Sequence, residues 1–232
     1  MPAFLLTSLL FFLIWIVLFA FSKETRKEQL IMSIIGLVVS PAVLILAATD
    51  YRNILFDQPF FIGIEDFIFA FSVFGVASVV HHVLVGQHGH KVRGNKYKGE
   101  FVELHFVGLI TLVLALWAFV SILMIHVFLL ASVHALIVGG LMVGIYIVAD
   151  RHDLLFNALV SGIVMAVLVF VLEQVFFVRL FPEAVGVFWE LDNLAYSLLG
   201  GIPLEEVIWA AVVGFTIGPL YEWARNIEFT KK

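Results

Sequence analysis

Two segments of the sequence each carry a pair of adjacent acids at the start of a long apolar stretch. One segment contains IGIEDFIFA and the other IPLEEVIWA, so Glu65-Asp66 matches Glu205-Glu206 at an offset of 140 residues. In both segments an aromatic residue follows three positions after the second acid. The shared pattern predicts an internal repeat with one acid pair in each copy.

Carboxyl groups inside an apolar helix are expensive, at roughly 2.5–3.5 kcal/mol near the helix centre, and therefore indicate a functional site. Adjacent acids in apolar surroundings favour one protonated group beside an ionised one, which can give a proton at one place and remove it at another. The alternative is structural. Pro203 suits the first position of a helix, which would place Glu205 and Glu206 in a first turn that favours negative charge.

Other polar groups in the apolar stretches are fewer. Glu173 lies near the predicted depth of the acid pairs and is a candidate member of their site. His82 and Glu222 match each other at the same offset of 140 residues, at the other end of their segments, where we expect them at the membrane interface. The eight histidines show neither the i, i+4 spacing of a helical metal pair nor an H-E-x-x-H motif, so we predict no metal and no cofactor.

Composition assigns the chain to a membrane. Its 232 residues are 62% hydrophobic and 13% charged, with a mean hydropathy of +1.10. Those values exclude a soluble globular protein, a disordered chain and a nucleic-acid-binding protein. The absence of cysteine excludes disulfides, thiolate metal sites and thiol nucleophiles.

We predict an all-α integral membrane protein with seven transmembrane helices, since each span needs about 20 apolar residues. The predicted spans are Phe4–Phe21, Leu30–Thr49, Phe60–Val85, His105–Leu123, Val127–Val148, Leu154–Val178 and Leu198–Trp223. The fourth and fifth are separated near Ser121–His126, because the apolar stretch there is too long for one span.

The positive charges support this count. With the N-terminus outside and the C-terminus in the cytoplasm, eleven Lys and Arg residues fall on the cytoplasmic side, and only Arg52 and Arg179 fall on the other. We therefore predict a multi-pass protein with this orientation, in a prokaryotic cytoplasmic membrane. The longest hydrophilic segment, Gly86–Glu103, is basic and would face the cytoplasm, where membrane lipid is a further partner.

The repeat divides the chain into three parts. Residues 1–86 form a first three-helix repeat, residues 87–125 a basic loop and connector helix, and residues 126–232 a second three-helix repeat. A single connector helix makes the repeats parallel, so both acid pairs are expected at the same membrane face.

Residues around the second acid pair resemble a known family. The sequence Pro203-Leu204-Glu205-Glu206, followed by Val-Ile-Trp and preceded by Leu-Gly-Gly, resembles the P-x-E-E signature of the membrane-embedded lycopene cyclase domain family, of the heterodimeric bacterial and fused archaeal or fungal type. Tyr221-Glu222 is similar to the common ending of the family's motif helix.

The first half departs from that signature. Gly63 replaces the proline and Asp66 the second glutamate, while His81-His82 stand where Tyr-Glu is typical.

The resemblance implies a lycopene β-cyclase, a redox-neutral intramolecular lyase or isomerase of carotenoid biosynthesis. It implies acid and base roles for Glu205 and Glu206, with Glu65 and Asp66 completing the site or forming a second one. The expected substrate is a lycopene-like polyene that enters from lipid, without metal or cofactor. The residues expected to contact it are Glu173, Phe67, Phe69, Trp209 and Pro203.

Three alternatives remain open at this stage. Paired acids at one depth could form the site of a proton-coupled or cation transporter or binding protein. Ser78, the histidines and the acids could belong to a metal-dependent membrane lipid hydrolase. The altered first motif also allows a relative that keeps the scaffold without activity, and the sequence leaves a homo-oligomer open.

Overall fold

The computed structural model describes residues 2–47, 50–52, 62–86, 90–92, 100–194, 197–198 and 201–229. Within these residues, seven helical spans are long and apolar enough to cross a membrane. Six of them are formed mainly by one helix each: Pro2–Phe21 (α1), Arg26–Ala47 (α2), Ile64–Val85 (α3), Glu100–Phe128 (α4), Ser132–Asp150 (α5) and Leu155–Glu173 (α6). The seventh comprises Leu204–Ile217 (α8) and Leu220–Arg225 (α9), and the short helix Ala184–Phe188 (α7) precedes it. The predicted all-α membrane fold is confirmed.

Short elements join and extend the spans. A π-helical turn, Gln174–Leu180, continues α6, and 3₁₀ turns cover His152–Leu154 and Leu191–Asn193. Two small antiparallel strand pairs occur in the described residues: His90–Val92 (β1) with Ile227–Phe229 (β4), and Ser197–Leu198 (β2) with Ile202–Pro203 (β3).

Two helix boundaries differ from the predicted ones. The break placed near Ser121–His126 was wrong, because the Ser121 hydroxyl donates to the Trp117 carbonyl within the helix (2.9 Å) and does not interrupt it. The chain turns instead at Leu129, whose φ is +55°. The seventh span, predicted as one helix, is broken at Pro219, which has no backbone N–H to continue the helical bonds.

Each repeat is organised around one helix. α3 packs against α1 and α2, and α8 packs against α5 and α6. Each of the two units also has a close contact between helices at a glycine. A Cβ on Gly36 would lie 2.7 Å from the Ala70 carbonyl oxygen, and one on Gly162 would lie 2.9 Å from the Ala211 carbonyl oxygen. In both repeats, therefore, the second helix approaches the third at a position that lacks a side chain.

The repeats are parallel, as predicted. Asp66 and Glu206, near the starts of α3 and α8, line the same cavity. His82 and Glu222, near the ends of α3 and α9, contact each other. The helices α3 and α8 therefore run side by side in one direction, and α4, which packs against α5, connects the two units.

Some sequence-based predictions concern residues that the structure does not describe. Thr49 and Phe60, the predicted ends of the second and third spans, lie outside the described residues, as do Leu199 and Gly200 of the second motif. The same holds for most of the basic segment Gly86–Glu103.

Candidate active site

An apolar groove lies between the two repeats. Its walls come from α2 and α3 on one side and from α5 and α8 on the other, with α4 contributing Leu114, Trp117 and Ala118. Apart from a few polar side chains, the residues that line it are apolar. The groove therefore suits contact with an apolar molecule.

One acid from each pair lines this groove. Asp66 and Glu206, which are equivalent in the repeat, both contribute to its wall, and both are buried, with 6% and 8% of their surface exposed. Tyr51 and Arg52, from the loop after α2, line the groove at the same end. We call the end that carries these four side chains the acid end.

Asp66 is paired with a cation and a backbone N–H. Its Oδ1 accepts a hydrogen bond from Arg52 Nη1 at 2.6 Å, and its Oδ2 accepts one from the backbone N–H of Gly63 at 2.9 Å. The Arg52 guanidinium also stacks over the rings of Phe188 and Phe4, at 4.3 and 4.9 Å from their centroids. Asp66 therefore caps the start of α3 and also faces the groove. It serves the predicted structural role at a helix start and is also placed where a functional acid would lie.

Glu206 is held by neutral donors. Its Oε2 accepts a hydrogen bond from the Tyr51 hydroxyl and a longer one from Trp189 Nε1, at 3.4 Å. Burial raises the pKa of Tyr51 well above its usual value, and the nearby Glu206 and Glu173 carboxylates raise it further. The phenol therefore keeps its proton and remains a donor to Glu206.

The remaining predicted acids lie close by but not in the groove wall. Glu205 is buried with 3% of its surface exposed, and its Oε1 is 3.7 Å from His134 Nε2 on α5. Glu65 is half-buried, and its carboxyl folds back over Gly63. Glu173 is also buried, and its Oε2 has no hydrogen-bond partner among the described residues. It lies near enough to Tyr51 for its charge to act on that hydroxyl.

Only some of the residues predicted to contact the substrate lie in the groove wall. Phe69 and Trp209 line the groove, together with Phe74. Phe67 is half-buried and is not part of the groove wall, and Pro203 is buried as the N-cap of α8.

Three groups around the acids were missed by the sequence analysis. Tyr51, Arg52 and Trp189 come from the loops that follow α2 and α7, and these loops are joined by a hydrogen bond from the Glu190 N–H to the Tyr51 carbonyl (3.0 Å). One signal was present. Arg52 was one of only two cations predicted on the outer side, which sets it apart from the other Lys and Arg residues.

A second pair of equivalent residues lies between the repeats, at the end opposite the acid end. His82 and Glu222, expected at the membrane interface, are both fully buried and hydrogen-bonded to each other. They contact each other because residues that are equivalent in two parallel repeats meet where the repeats are in contact. The Ser78 hydroxyl in the same region donates to the Gly75 carbonyl of its own helix, at 3.1 Å.

Comparison with known proteins gives one match. A family model described as lycopene cyclase matches residues 98–224, which is more than half of the chain and includes α4 to α8. No curated protein and no solved structure gave a significant match.

Proposed function

The chain belongs to the lycopene cyclase family, and we propose that it closes the acyclic ends of a lycopene-like carotene into β-ionone rings within the membrane. The family is one of carotenoid cyclases, and seven apolar helical spans fit an integral membrane enzyme that acts on a lipophilic substrate. The observation that carries the proposal is the meeting of Asp66 and Glu206, one from each repeat, in the wall of a single apolar groove.

The groove suits a hydrocarbon. A carotene offers no polar group for recognition, so it must be held by shape and apolar contact. The groove between the repeats has mostly apolar walls, to which the aromatic rings of Phe69, Phe74 and Trp209 contribute. Aromatic faces also stabilise a passing cation, by about 0.5–2 kcal/mol for each ring. A substrate dissolved in the bilayer would enter sideways from lipid.

Glu206 is the proposed acid. Both Tyr51 and Trp189 donate to its Oε2, so Oε1 is the oxygen that carries the transferable proton. That proton is added to C2 of the terminal C1=C2 double bond, which leaves a cation at C1. The C5=C6 double bond then forms the C1–C6 bond, and the positive charge moves to C5. Loss of a proton from C6 leaves the C5=C6 double bond of the β-ionone ring.

These reaction steps consume and release no net proton. One proton is added at C2 and one is removed at C6, so the Glu206 carboxylate left by the first step can accept the proton from the last. No electron is transferred. Asp66, paired with Arg52, contributes a carboxylate beside the groove that stabilises the cation between these two steps.

The other predicted acids take supporting roles in this proposal. Glu205, next to His134, and Glu65, next to Gly63, have no part in the proton transfer. Tyr51 holds one oxygen of Glu206 by its hydrogen bond, and Glu173 is a buried acid nearby. The proposal retains a cytoplasmic membrane and an N-terminus outside, which places the acid end at the outer face.

The test is expression in a host that accumulates lycopene, followed by pigment chromatography. We expect lycopene to be replaced by carotenes with one or two β-rings. Unchanged lycopene in the presence of well-folded protein would refute the proposal. Substrate-driven proton uptake in proteoliposomes without a new pigment would favour a transporter.

A labelling experiment tests the order of proton transfers. In isolated membranes suspended in D₂O, we expect at most one deuterium at C2 for each new ring. The label should stay below full incorporation if Glu206 returns the C6 proton to a second substrate end before exchange with water. Deuterium at any other carbon of the new ring, or no deuterium at C2 in the first turnover, would contradict the mechanism.

A further inference from the structure

A second cluster of ionisable side chains lies at the end of the bundle opposite the acid end. It comprises Glu28 in the first turn of α2, His82 near the end of α3 and Glu222 on α9. Their ligand atoms all lie within 4.8 Å of one another. The three residues are separated widely in sequence and come from both repeats, so the fold itself brings them together.

All three side chains are removed from solvent. His82 and Glu222 are 0% exposed and Glu28 is 3% exposed. Sixteen residues separate Asp66 from His82 along α3, which at 1.5 Å per residue is about 24 Å. The cluster is therefore independent of the groove and has no part in the proposed cyclisation.

The contacts leave carboxylate oxygens unused. Glu222 Oε1 is bonded to the His82 ring and lies 3.4 Å from Asn157 Nδ2. Glu28 Oε1 points at His82 Nε2 from 4.0 Å, yet it has no hydrogen-bond partner in the described part of the chain, and the same is true of Glu222 Oε2. Buried carboxylates with unused oxygens require a cation or a proton to balance them.

We propose that Glu28, His82 and Glu222 bind one divalent transition-metal ion. Two carboxylates and a neutral imidazole carry two negative charges, which one such ion neutralises. A mixed oxygen and nitrogen ligand set suits Zn²⁺ or Mn²⁺, since imidazole favours the first and carboxylates are good ligands for the second. Because α2 and α3 belong to the first repeat and α9 to the second, the ion would join the repeats at this end.

The direct experiment uses the metal alone. The full chain, purified in lipid nanodiscs and stripped with a chelator, is incubated with Zn²⁺ or Mn²⁺ and passed over a desalting column. We expect about one ion per chain by mass spectrometry of the metal, as for a site with three protein ligands. With Mn²⁺, pulsed electron paramagnetic resonance should show coupling to one imidazole nitrogen.

Substitutions identify the ligands. Loss of supporting partners alone weakens metal sites by about 10–100-fold, so His82→Gln and Glu222→Gln should weaken binding at least that much. Glu28→Gln should also weaken it. His81→Gln removes a neighbouring buried imidazole outside the cluster and should keep the bound ion, which makes it the matched control.

Several results would overturn the proposal. Absence of bound metal in the unmodified chain would mean that the three groups share protons instead. Retention of the ion in a folded His82→Gln variant, or bound Mn²⁺ without nitrogen coupling, would mean binding at surface acids. If the variants fail to fold, the resonance spectrum of the unmodified chain decides the matter. Metal binding without pigment conversion would support this site while contradicting the cyclase proposal.

Discussion

The two repeats place an acid at the same position and surround it differently. In the first repeat, Asp66 is paired with the Arg52 guanidinium and bonded to a backbone N–H. In the second, Glu206 is bonded to the hydroxyl of Tyr51 and the indole of Trp189, neither of which carries a charge. One carboxyl group is hydrogen-bonded to a cation, and the other is hydrogen-bonded to neutral groups.

This difference explains how a duplicated scaffold can serve one reaction. A carboxyl group fixed beside a cation is a poor proton donor but a constant source of negative charge. A carboxyl group held by neutral donors on one oxygen keeps its other oxygen for proton transfer. In the proposed mechanism, the first repeat supplies the charge and the second supplies the proton.

The sharpest test of this division is Glu206→Gln. Proton transfer by a positioned group contributes about 10²–10⁴-fold to the rate, so we expect a loss of that size in ring formation by isolated membranes. Glu183→Gln, which alters an exposed acid in the loop before α7, is the matched control and should keep the unmodified rate. A Glu206→Gln enzyme with more than a tenth of that rate would remove the distinction between the repeats.

Neutralising the Asp66 pair tests the other half of the comparison. Hydrogen bonds to charged groups contribute about 1.5–3 kcal/mol, so Asp66→Asn and Arg52→Gln should each lower the free energy of unfolding by about that much. The double variant should lose less than the sum, with a coupling of about 0.5–3 kcal/mol. Thermal unfolding in detergent measures all three. Strictly additive losses would show that the pair is not coupled.

Glycine substitutions test whether the two repeats are built alike. Gly36→Ala and Gly162→Ala each drive a Cβ against a carbonyl oxygen of the neighbouring helix, and overpacking of this kind costs about 1–3 kcal/mol. Gly108→Ala is the control, because a Cβ there meets no atom within 4 Å. It should be neutral or slightly stabilising. If only one of the first two destabilises the protein, the helix contacts of the repeats are not equivalent.

Tyr51→Phe tests the neutral donor. Removing a typical hydrogen bond costs about 0.5–1.5 kcal/mol, which predicts up to about a tenfold loss of rate with the protein still folded. Trp189 continues to donate to the same oxygen and limits the effect. A loss as large as that of Glu206→Gln would instead give Tyr51 a direct part in proton transfer.

The smallest expected effect is on pH dependence. The pKa of Tyr51 is raised in the folded protein by burial and by the nearby carboxylates, so the folded state binds the phenolic proton more tightly than the unfolded state does. The resulting stability is present below the unfolded pKa of about 10 and is lost as pH rises through the folded pKa. The difference in unfolding temperature between the unmodified chain and Tyr51→Phe should stay constant from pH 7 to about 9 and shrink above it. A constant difference up to pH 11 would contradict the raised pKa.

Much of the fold follows from the sequence for simple reasons. Long apolar stretches define spans, and the matching acid pairs define the repeat, because both are local patterns. The partners of the acids are different. Tyr51 is 155 residues from Glu206, and Trp189 lies in a loop without periodicity, so neither pairing leaves a pattern in the chain. Only the tertiary contact between the two outer loops creates them.

His82 shows a second limit on what can be predicted from the sequence. The offset of 140 residues identified His82 and Glu222 as equivalent, but equivalence does not tell whether two positions lie apart or in contact. That depends on where the pseudo-symmetry axis passes, and only the packing of α3 beside α8 and α9 determines it. The same packing draws in Glu28, which no repeat pattern links to either residue.

The loop after α2 has a mechanical consequence. The N–H groups of Tyr51 and Arg52 both donate to the Ala47 carbonyl at the end of α2, at 3.1 and 3.0 Å, so the two side chains are tied to that helix. The same helix forms a wall of the groove. Any outward swing of α2 that admits a hydrocarbon from the lipid would therefore pull the phenol from Glu206 and the guanidinium from Asp66. Substrate entry would then break the contacts of Glu206 and Asp66, and these contacts would form again only after α2 has closed over the bound hydrocarbon.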